Sequence, residues 1–455
     1  VKNSEGAALM PSYIIRSMRK MFSHCLKLSY KDTAQQNSYV TIPRAANSFD
    51  NTEIAANVDE DIIDSLTGGR LVGSVTSFEN FAECPLRYYL RYGVDLKERE
   101  EFTFSPVNFG VVLHAVIREV CDEIKKNGES YYLISEEKRR EMVKRSVAAI
   151  TDIYQNSILK DSSRNSFMIK RMEDLADRTV WAMGEQLKCG DFVPFVFEHK
   201  FNMEVGDGDR KQLMSGTIDR VDICENGTDV YVRIIDYKTG KKDFNIVKTY
   251  YGIDIQLMVY MEAAMKLVAK MRPGKNVIPA GVFYYNISDP IVSATTESAE
   301  EIEDKIKGEL RLKGMVNSDK DIAEKMDNTE GTSLNIPVSR KADGGFDSRR
   351  SKVMNTEQFN ILGRFVDVRA IDTADRIAGG DIRRSPYKDG QFSSCDRCPY
   401  GAVCGFSVDL PGCNYRKLKK FDDEVLWNNI KEGVDENGKK TVSYTHLTLP
   451  TKLEV

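Results

Sequence analysis

Two aspartates and a lysine lie inside stretches of the sequence that otherwise have the composition of buried β-strands. Asp219 is part of Gly216-Thr217-Ile218-Asp219, and Asp236 and Lys238 are part of Ile235-Asp236-Tyr237-Lys238-Thr239-Gly240. An aspartate inside an apolar strand costs free energy unless a charged or hydrogen-bonding group meets it. Asp236 and Lys238 are two positions apart and are expected on the same face of their strand. Two converging carboxylates favour Mg²⁺ or Mn²⁺, and a neighbouring ammonium can position a water and offset charge that develops on a phosphate.

The alternative interpretation is an ordinary pair of strands with surface ion pairs, because Asp-x-Lys alone is a common pattern. The Gly-x-x-Asp motif on the preceding strand favours the metal site instead. His114 lies on an otherwise apolar helix and is either a satisfied core residue or a further metal ligand through its neutral imidazole. Gln256 and Tyr260 are four residues apart and share a helix face, where they either contact nucleic acid or simply cap and pack.

Three cysteines lie close together towards the end of the chain, in Cys395-x2-Cys398-x5-Cys404. Three thiolates at this spacing indicate a metal, either Zn²⁺ or an iron–sulfur cluster. The fourth ligand is either Cys413, which is local, or Cys84, which lies far upstream. Spacing alone slightly favours zinc with Cys413, because such sites are usually local.

The composition excludes several classes of protein. The chain has 455 residues, with 65 Lys and Arg against 69 Asp and Glu, a net charge of −4, and 41% hydrophobic residues. These values exclude a disordered chain, a collagen and a strongly basic protein that coats nucleic acid, and the length predicts two or three domains. The sequence contains no apolar run of about 18 residues and no signal peptide, so we expect a cytoplasmic chain with reduced thiols and no membrane partner. It begins at Val1 rather than at a methionine, as a fragment of a longer protein would.

The order of predicted elements indicates an α/β domain. Four strands rich in Val, Ile, Phe and Tyr are predicted, with a helix that ends near Met271 before the last of them: Phe195–Val205, Leu213–Cys224, Val230–Tyr237 and Val277–Ile287. Further helices are predicted after a cap at Thr76 or Ser77 and over Phe109–Lys126, Glu136–Leu187, Ser298–Met326 and Asn355–Ile377. Near the start, Pro11–Leu26 is predicted to form a basic amphipathic helix and residues 48–64 a polar linker.

These motifs resemble the RecB-like branch of the PD-(D/E)xK nucleases. The resemblance rests on Gly110-x-x-Leu113-His114, Gly216-x-x-Asp219, Ile235-Asp236-Tyr237-Lys238-Thr239-Gly240 and Gln256-Leu257-x-x-Tyr260, in this order. It implies a restriction-endonuclease-like α/β fold, a mixed sheet wrapped by helices, and a metal-dependent nuclease. By resemblance, Mg²⁺ or Mn²⁺ is bound by His114, Asp219, Asp236 and the peptide carbonyl of Tyr237, Lys238 assists water attack, and Gln256 and Tyr260 face the DNA.

The cysteines extend the resemblance. A cysteine before the nuclease motifs and Cys-x2-Cys-x5-Cys after them is similar to the iron-staple nucleases, among them AddB-type subunits and small CRISPR-associated exonucleases. This implies a [4Fe–4S] cluster on Cys84, Cys395, Cys398 and Cys404, with Cys413 left over. Arg87 and Arg91 lie beside Cys84 and are predicted either to meet DNA phosphates or to be solvated surface residues.

The resemblance to the C-terminal part of AddB-type subunits implies three segments: the end of a helicase-like region plus linker (1–70), a nuclease domain (71–425) and a disordered tail (426–455). It implies an exonuclease that works with an AddA-type helicase–nuclease partner, as a heterodimer, on the ends of duplex DNA during bacterial recombinational repair. The sequence contains no Gly-x-x-x-x-Gly-Lys-[Ser/Thr] phosphate-binding loop. The alternatives are a stand-alone CRISPR-associated-type exonuclease for single-stranded DNA and a catalytically silent DNA-binding scaffold.

Overall fold

A computed structural model describes residues 57–59, 72–97, 106–153, 163–205, 212–293, 297–410, 413–435 and 443–447. The predicted helix Pro11–Leu26 and most of the predicted linker lie outside the described residues. No helix within the described ranges is both long enough and apolar enough to cross a membrane.

A mixed β-sheet forms the centre of the fold. Its strands are β1 (Val72–Ser74), β2 (Val193–Val205), β3 (Gln212–Asn226), β4 (Asp229–Lys238), β5 (Asn276–Asn286), β6 (Lys313–Asn317), β7 (Val353–Met354) and β11 (Ser443–Leu447). They lie in the order β11-β2-β3-β4-β5-β6-β7, and β1 pairs with β3 outside this path. Neighbours β2, β3 and β4 are antiparallel, whereas β4 and β5 are parallel. A small second sheet contains β8 (Tyr387–Asp389), β9 (Phe392–Ser393) and β10 (Arg416–Lys417).

Helices cover both faces of the large sheet. They are α1 (Val75–Glu83), α2 (Pro85–Tyr88), α3 (Pro106–Lys126), α4 (Glu136–Ile153), α5 (Ser163–Lys188), α6 (Ile246–Tyr250), α7 (Gln256–Met271), α8 (Ala299–Glu309), α9 (Lys320–Met326), α10 (Thr356–Ala378), α11 (Gly401–Cys404) and α12 (Asp423–Asp435). Buried residues of α7, α10 and α12 pack on one face. Those of α3, α4 and α5 pack on the other. Strand β4 is therefore buried on both sides along nearly its whole length.

The predicted element order agrees with the structure in the centre of the domain and differs at the edges. The strands β2, β3 and β4, the helix α7 and the strand β5 follow one another as predicted. The predicted helix Ser298–Met326 is wrong in its middle, where β6 pairs with β5 between two shorter helices. A strand of five residues is too short to show a period against helical neighbours, and the pairing itself decides its conformation.

Two boundaries also differ from the sequence-based expectation. The N-cap of helix α1 lies two or three residues before the predicted one, because the Ser74 hydroxyl accepts from the Ser77 N–H at 3.1 Å. Part of segment 426–455, which we expected to be a disordered tail, lies in α12 and β11. Helix α12 buries Leu426 and Ile430 against the core.

Candidate active site and cysteine cluster

The candidate site lies where β3 and β4 separate. Their ladder ends at the pair Arg220 and Ile235, whereas β4 continues beside β5 as far as the pair Lys238 and Asn286. Beyond the last pair, the carboxylate of Asp219 takes the place of a backbone acceptor, since its Oδ2 accepts from the Tyr237 N–H at 2.6 Å. The two strands therefore diverge at the point where each presents an aspartate.

Helix α3 brings His114 against the first of these carboxylates. The imidazole Nδ1 lies 3.4 Å from Asp219 Oδ1 and 3.9 Å from Glu198 Oε1. Burial opposes a charge on the imidazole, but the hydrogen bond and negative charge of Asp219, with that of Glu198, outweigh it and raise the pKa of His114. The structure thus brings His114 next to Asp219, and their role as metal ligands stays a prediction.

Glu198 is a member of the site that the sequence interpretation missed. It lies on β2 between the register pairs Phe197–Arg220 and His199–Ile218, and is therefore opposite Asp219. Its φ is +47°, in the left-handed region that a residue with a side chain seldom adopts. Burial, followed by the nearby Asp219 charge, raises the pKa of Glu198 to about 7. Strained backbone and a raised carboxyl pKa at one position are features that concentrate at functional sites.

Asp236 and Lys238 form the second half of the site, together with the first residue of α7. Lys238 Nζ lies 2.5 Å from Asp236 Oδ2 and donates to Gln256 Oε1 at 3.0 Å. Gln256 Nε2 donates to Asp236 Oδ1 at 3.1 Å and to the Tyr260 hydroxyl at 3.0 Å. Burial and the neighbouring Asp219 charge raise the pKa of Asp236 to about 6, although Lys238 opposes the shift.

Gln256 and Tyr260, which we expected to face DNA, are both buried. They are 7% and 5% exposed, and Gln256 joins the Asp236–Lys238 pair to the Tyr260 hydroxyl. Their contact with DNA stays a prediction. Tyr237, whose peptide carbonyl was predicted as a ligand, has a buried ring that meets the His114 ring edge-on at 5.9 Å between centroids. The role of its carbonyl also stays a prediction.

Three of these side chains form a group that could hold a metal ion. His114, Glu198 and Asp219 each offer one ligand atom, and the three atoms lie within 4.8 Å of one another. A nitrogen and carboxylate oxygens suit a divalent cation that prefers oxygen-rich sites. Such an ion would also offset the negative charge of Asp219, which contributes to the raised pKa values of Glu198 and Asp236.

The structure brings Cys84 to one pocket with the three clustered cysteines near the end of the chain. Cys84, Cys395, Cys398 and Cys404 line it, together with Arg87. Cys84 has extended backbone, with φ −166° and ψ 116°, at the break between α1 and α2. All four are free thiols, and burial raises the pKa of Cys84 and Cys404, although hydrogen bonds from backbone N–H groups to their sulfur atoms oppose the shift. Cys413 is buried but does not line this pocket.

The two predicted phosphate-binding arginines differ in their surroundings. Arg87 is half-buried and forms an ion pair with Glu83 one turn earlier. Its Nε is a buried donor without a hydrogen-bond partner, beside the cysteine pocket. Arg91 is exposed, with its guanidinium 5.4 Å from the centre of the Tyr92 ring. Of the two, only Arg91 lies open to a ligand in solution, and the contact of either with DNA stays a prediction.

Comparison with known proteins adds a family and a set of relatives. Residues 73–405 match the model of the PD-(D/E)XK nuclease superfamily. The chain is 34% identical over 383 residues to a protein of Clostridium acetobutylicum that is named as a subunit of the ATP-dependent helicase/deoxyribonuclease, an alignment that covers 82% of this chain and 33% of the relative. It is 31% identical over 452 residues to the protein of the same name from Clostridium botulinum, covering 96% of this chain and 39% of the relative. The chain therefore spans between a third and two fifths of the length of these curated relatives.

Proposed function

The chain belongs to the PD-(D/E)XK nuclease superfamily, and on this premise we propose that it is the deoxyribonuclease part of one component of an ATP-dependent helicase–nuclease complex. The observation that carries the proposal is the convergence of His114, Glu198 and Asp219 beside the Asp236–Lys238 pair, where two strands diverge. The reaction is hydrolysis of a DNA phosphodiester bond. A bound cation, a positioned water and a positive charge near the phosphate each lower the barrier to this reaction.

The residues present fit a resident Mg²⁺ or Mn²⁺. We assign its ligands to Asp219, Asp236 and His114, with the Tyr237 carbonyl, and add Glu198 because its carboxylate lies opposite Asp219. When bound, the cation supplies Lewis-acid activation of water and stabilisation of charge on the phosphate. Deprotonated carboxylates are needed to hold it, so the raised pKa values of Glu198 and Asp236 make cation binding favour higher pH.

The chain's own side chains order the rest of the site. Lys238 Nζ is held between the Asp236 carboxylate and the side-chain amide oxygen of Gln256, so its charge has a defined position before substrate binds. A preorganised ammonium there orients a water and offsets charge on a phosphate oxygen without further rearrangement. Gln256 fixes both members of the pair at once, since one end of its amide accepts from the lysine and the other donates to the aspartate.

We assign an iron–sulfur cluster, as [4Fe–4S], to Cys84, Cys395, Cys398 and Cys404. The pocket that these four thiols share, and the position of Cys413 outside its lining, support Cys84 as the fourth ligand. The cluster would join the first helices of the domain to the segment after β9, and its role is structural. Its binding free energy would then contribute directly to folding.

The proposal includes a partner because the relatives are named as one subunit of a helicase/deoxyribonuclease. We propose an AddA-type helicase–nuclease as this partner and the ends of duplex DNA, delivered as a single strand, as the substrate. Since bacterial DNA lies in the cytoplasm, the proposed substrate places the chain there. A stand-alone exonuclease would cleave single strands without partner or ATP, and a silent scaffold would bind DNA without cleaving it.

The test is cleavage of an end-labelled single-stranded oligonucleotide by anaerobically purified chain, with Mg²⁺ or Mn²⁺. Wild type should release short products only when the cation is present. Lys238→Ala should abolish cleavage, whereas Lys241→Ala, which removes an exposed lysine three residues later, should not. Binding without cleavage by wild type, with either cation, would contradict the nuclease and support the scaffold.

A further inference from the structure

Helix α7 begins without a capping side chain of its own. Its N-cap residue is Ile255, which has no side-chain acceptor, and no residue of the helix's first turn is acidic. The first backbone N–H groups of a helix have no partner within it, and the positive end of the helix dipole lies there. The start of α7 is buried, so these donors need another acceptor.

That acceptor comes from a different helix, 176 residues earlier in the chain. Glu79 Oε1 accepts from the Ile255 N–H at 2.9 Å and from the Gln256 N–H at 3.0 Å. Glu79 lies on α1 and is 9% exposed. One carboxylate oxygen therefore satisfies two buried donors at the positive end of the α7 dipole, and burial raises the pKa of this carboxyl to about 7.

The residue that Glu79 fixes is the one that bridges the catalytic pair. Gln256 contacts Lys238 through Oε1 and Asp236 through Nε2, within 3.1 Å in each case. The Gln256 side chain is attached to the Cα atom, which is bonded to the same backbone nitrogen that donates to Glu79. A shift of the first turn of α7 would therefore move the amide away from one or both members of the pair.

Helix α1 is itself anchored at both ends, so Glu79 has a fixed position. Before it, β1 pairs with β3, with Gly73 opposite Met214. In its last turn, the backbone carbonyl of Ala82 accepts from the side chain of Arg416. We infer that Glu79 is a positioning residue of the nuclease, which acts by capping α7 from outside and so holds Gln256 against Asp236 and Lys238. This inference rests on the proposed function and assigns Glu79 no contact with DNA or cation.

The experiment uses the full chain and three variants. Glu79→Ala removes the acceptor, Glu79→Gln keeps an oxygen in the same place without the charge, and Glu262→Gln removes a carboxylate that lies on α7 itself and pairs with Lys266. Two quantities are measured: hydrogen exchange of the backbone amides of Ile255 and Gln256, without DNA or cation, and the steady-state constants for single-strand cleavage.

For Glu79→Ala we expect exchange at the two amides to rise at least about tenfold and kcat to fall about 100-fold with KM little changed. Glu79→Gln should recover kcat to within about tenfold of wild type, and Glu262→Gln should leave exchange at both amides and kcat unchanged. Unchanged exchange in Glu79→Ala, or raised exchange with unchanged kcat, would overturn the inference. An inactive wild type would contradict the proposed function instead. The exchange data would then test only whether Glu79 caps α7.

Discussion

The carboxylate of Asp219 accepts a hydrogen bond from the backbone N–H of Tyr237 at 2.6 Å, at the point where the ladder between their strands has ended. This bond holds one oxygen of the carboxylate and leaves the other, Oδ1, next to His114. The same hydrogen bond therefore takes the place of the next backbone pair between β3 and β4 and orients the Asp219 carboxylate. A side chain that replaces a backbone acceptor is fixed more firmly than one that only faces solvent.

The first prediction concerns Asp236→Asn. This change removes a proposed cation ligand without changing the side-chain shape, so cleavage should fall at least about 10³-fold. Asp236 is buried, and burial raises its pKa to about 6, so its negative charge opposes folding of the cation-free chain at pH 7. The variant should therefore have a Tm equal to or above that of wild type when no cation is added.

Asp243→Asn is the matched control, because Asp243 pairs with Lys352 at the surface. It should keep full cleavage and an unchanged Tm. Equal loss of activity in both variants, or a strongly lowered Tm in Asp236→Asn, would contradict a chemical role for Asp236.

The second prediction is a pH dependence of stability in the cation-free chain. The pKa of Glu198 rises from its ordinary 4.5 to about 7, so between these values the folded state binds more protons than the unfolded chain. Stability should therefore fall as pH rises from about 4.5 to about 7. Glu198→Gln should flatten this part of the profile and raise the Tm at pH 7.5 relative to wild type.

Thermal unfolding at pH 5.5 and pH 7.5, with and without Mg²⁺, measures the effect. Added Mg²⁺ should stabilise wild type more at the higher pH and should stabilise Glu198→Gln less. Glu137→Gln, which changes an exposed glutamate at the start of α4, should follow the wild-type profile. A Glu198→Gln profile parallel to that of wild type would show that this carboxylate is ionised in the folded chain throughout the range.

The third prediction separates Cys84 from Cys413. If Cys84 is the fourth cluster ligand, Cys84→Ser should lose the visible absorption and most of the iron, about four atoms per chain in wild type. Cys413→Ser should keep both, because Cys413 does not line the cysteine pocket. Iron and zinc content of anaerobically purified protein decides the matter. One zinc without iron, lost in Cys413→Ser, would assign a different metal and a different fourth ligand.

The fourth prediction concerns a buried charge cluster next to the site. Asp222 is fully buried between Arg220 and Arg233, whose guanidinium nitrogens lie 2.7 and 2.8 Å from its Oδ2. Asp222→Asn would leave two buried cations with reduced compensation, at a cost of about 3–5 kcal/mol in unfolding free energy. Chemical denaturation should show this loss, while the surface change Asp243→Asn costs less than about 1 kcal/mol.

The sequence predicted that Asp236 and Lys238 share a face of one strand, because a charged residue in an apolar strand combines a chemical signal with a period of two; their catalytic roles stay predictions. Asp219 and Asp236 are conspicuous as carboxylates in apolar strands, and the structure places Lys238 beside Asp236. Glu198 carries the same signal, a carboxylate among Phe195, Val196 and Phe197, but no motif drew attention to it. Its place opposite Asp219 depends on the register of β2 and β3, which only the paired strands establish.

Glu79 shows the limit of prediction from local pattern. Within α1 it is one of two glutamates, and nothing nearby in sequence indicates that it is buried and caps another helix. Its function as a cap depends on a contact with residues more than 170 positions away. The absence of a capping side chain at Ile255 was the available signal, since a buried helix start without one needs an acceptor from elsewhere.

The anchoring of α1 also has a consequence for the order in which the chain folds. The contact of Arg416 with the Ala82 carbonyl spans 334 residues, so α1 leaves the ribosome on the order of 15 to 70 s before its last partner is made. During this interval the side chains of Phe78 and Phe81, buried in the finished domain, have no complete core to enter. Until the C-terminal part of the domain follows, the apolar side of α1 therefore stays exposed, and exposed apolar surface of this kind favours aggregation.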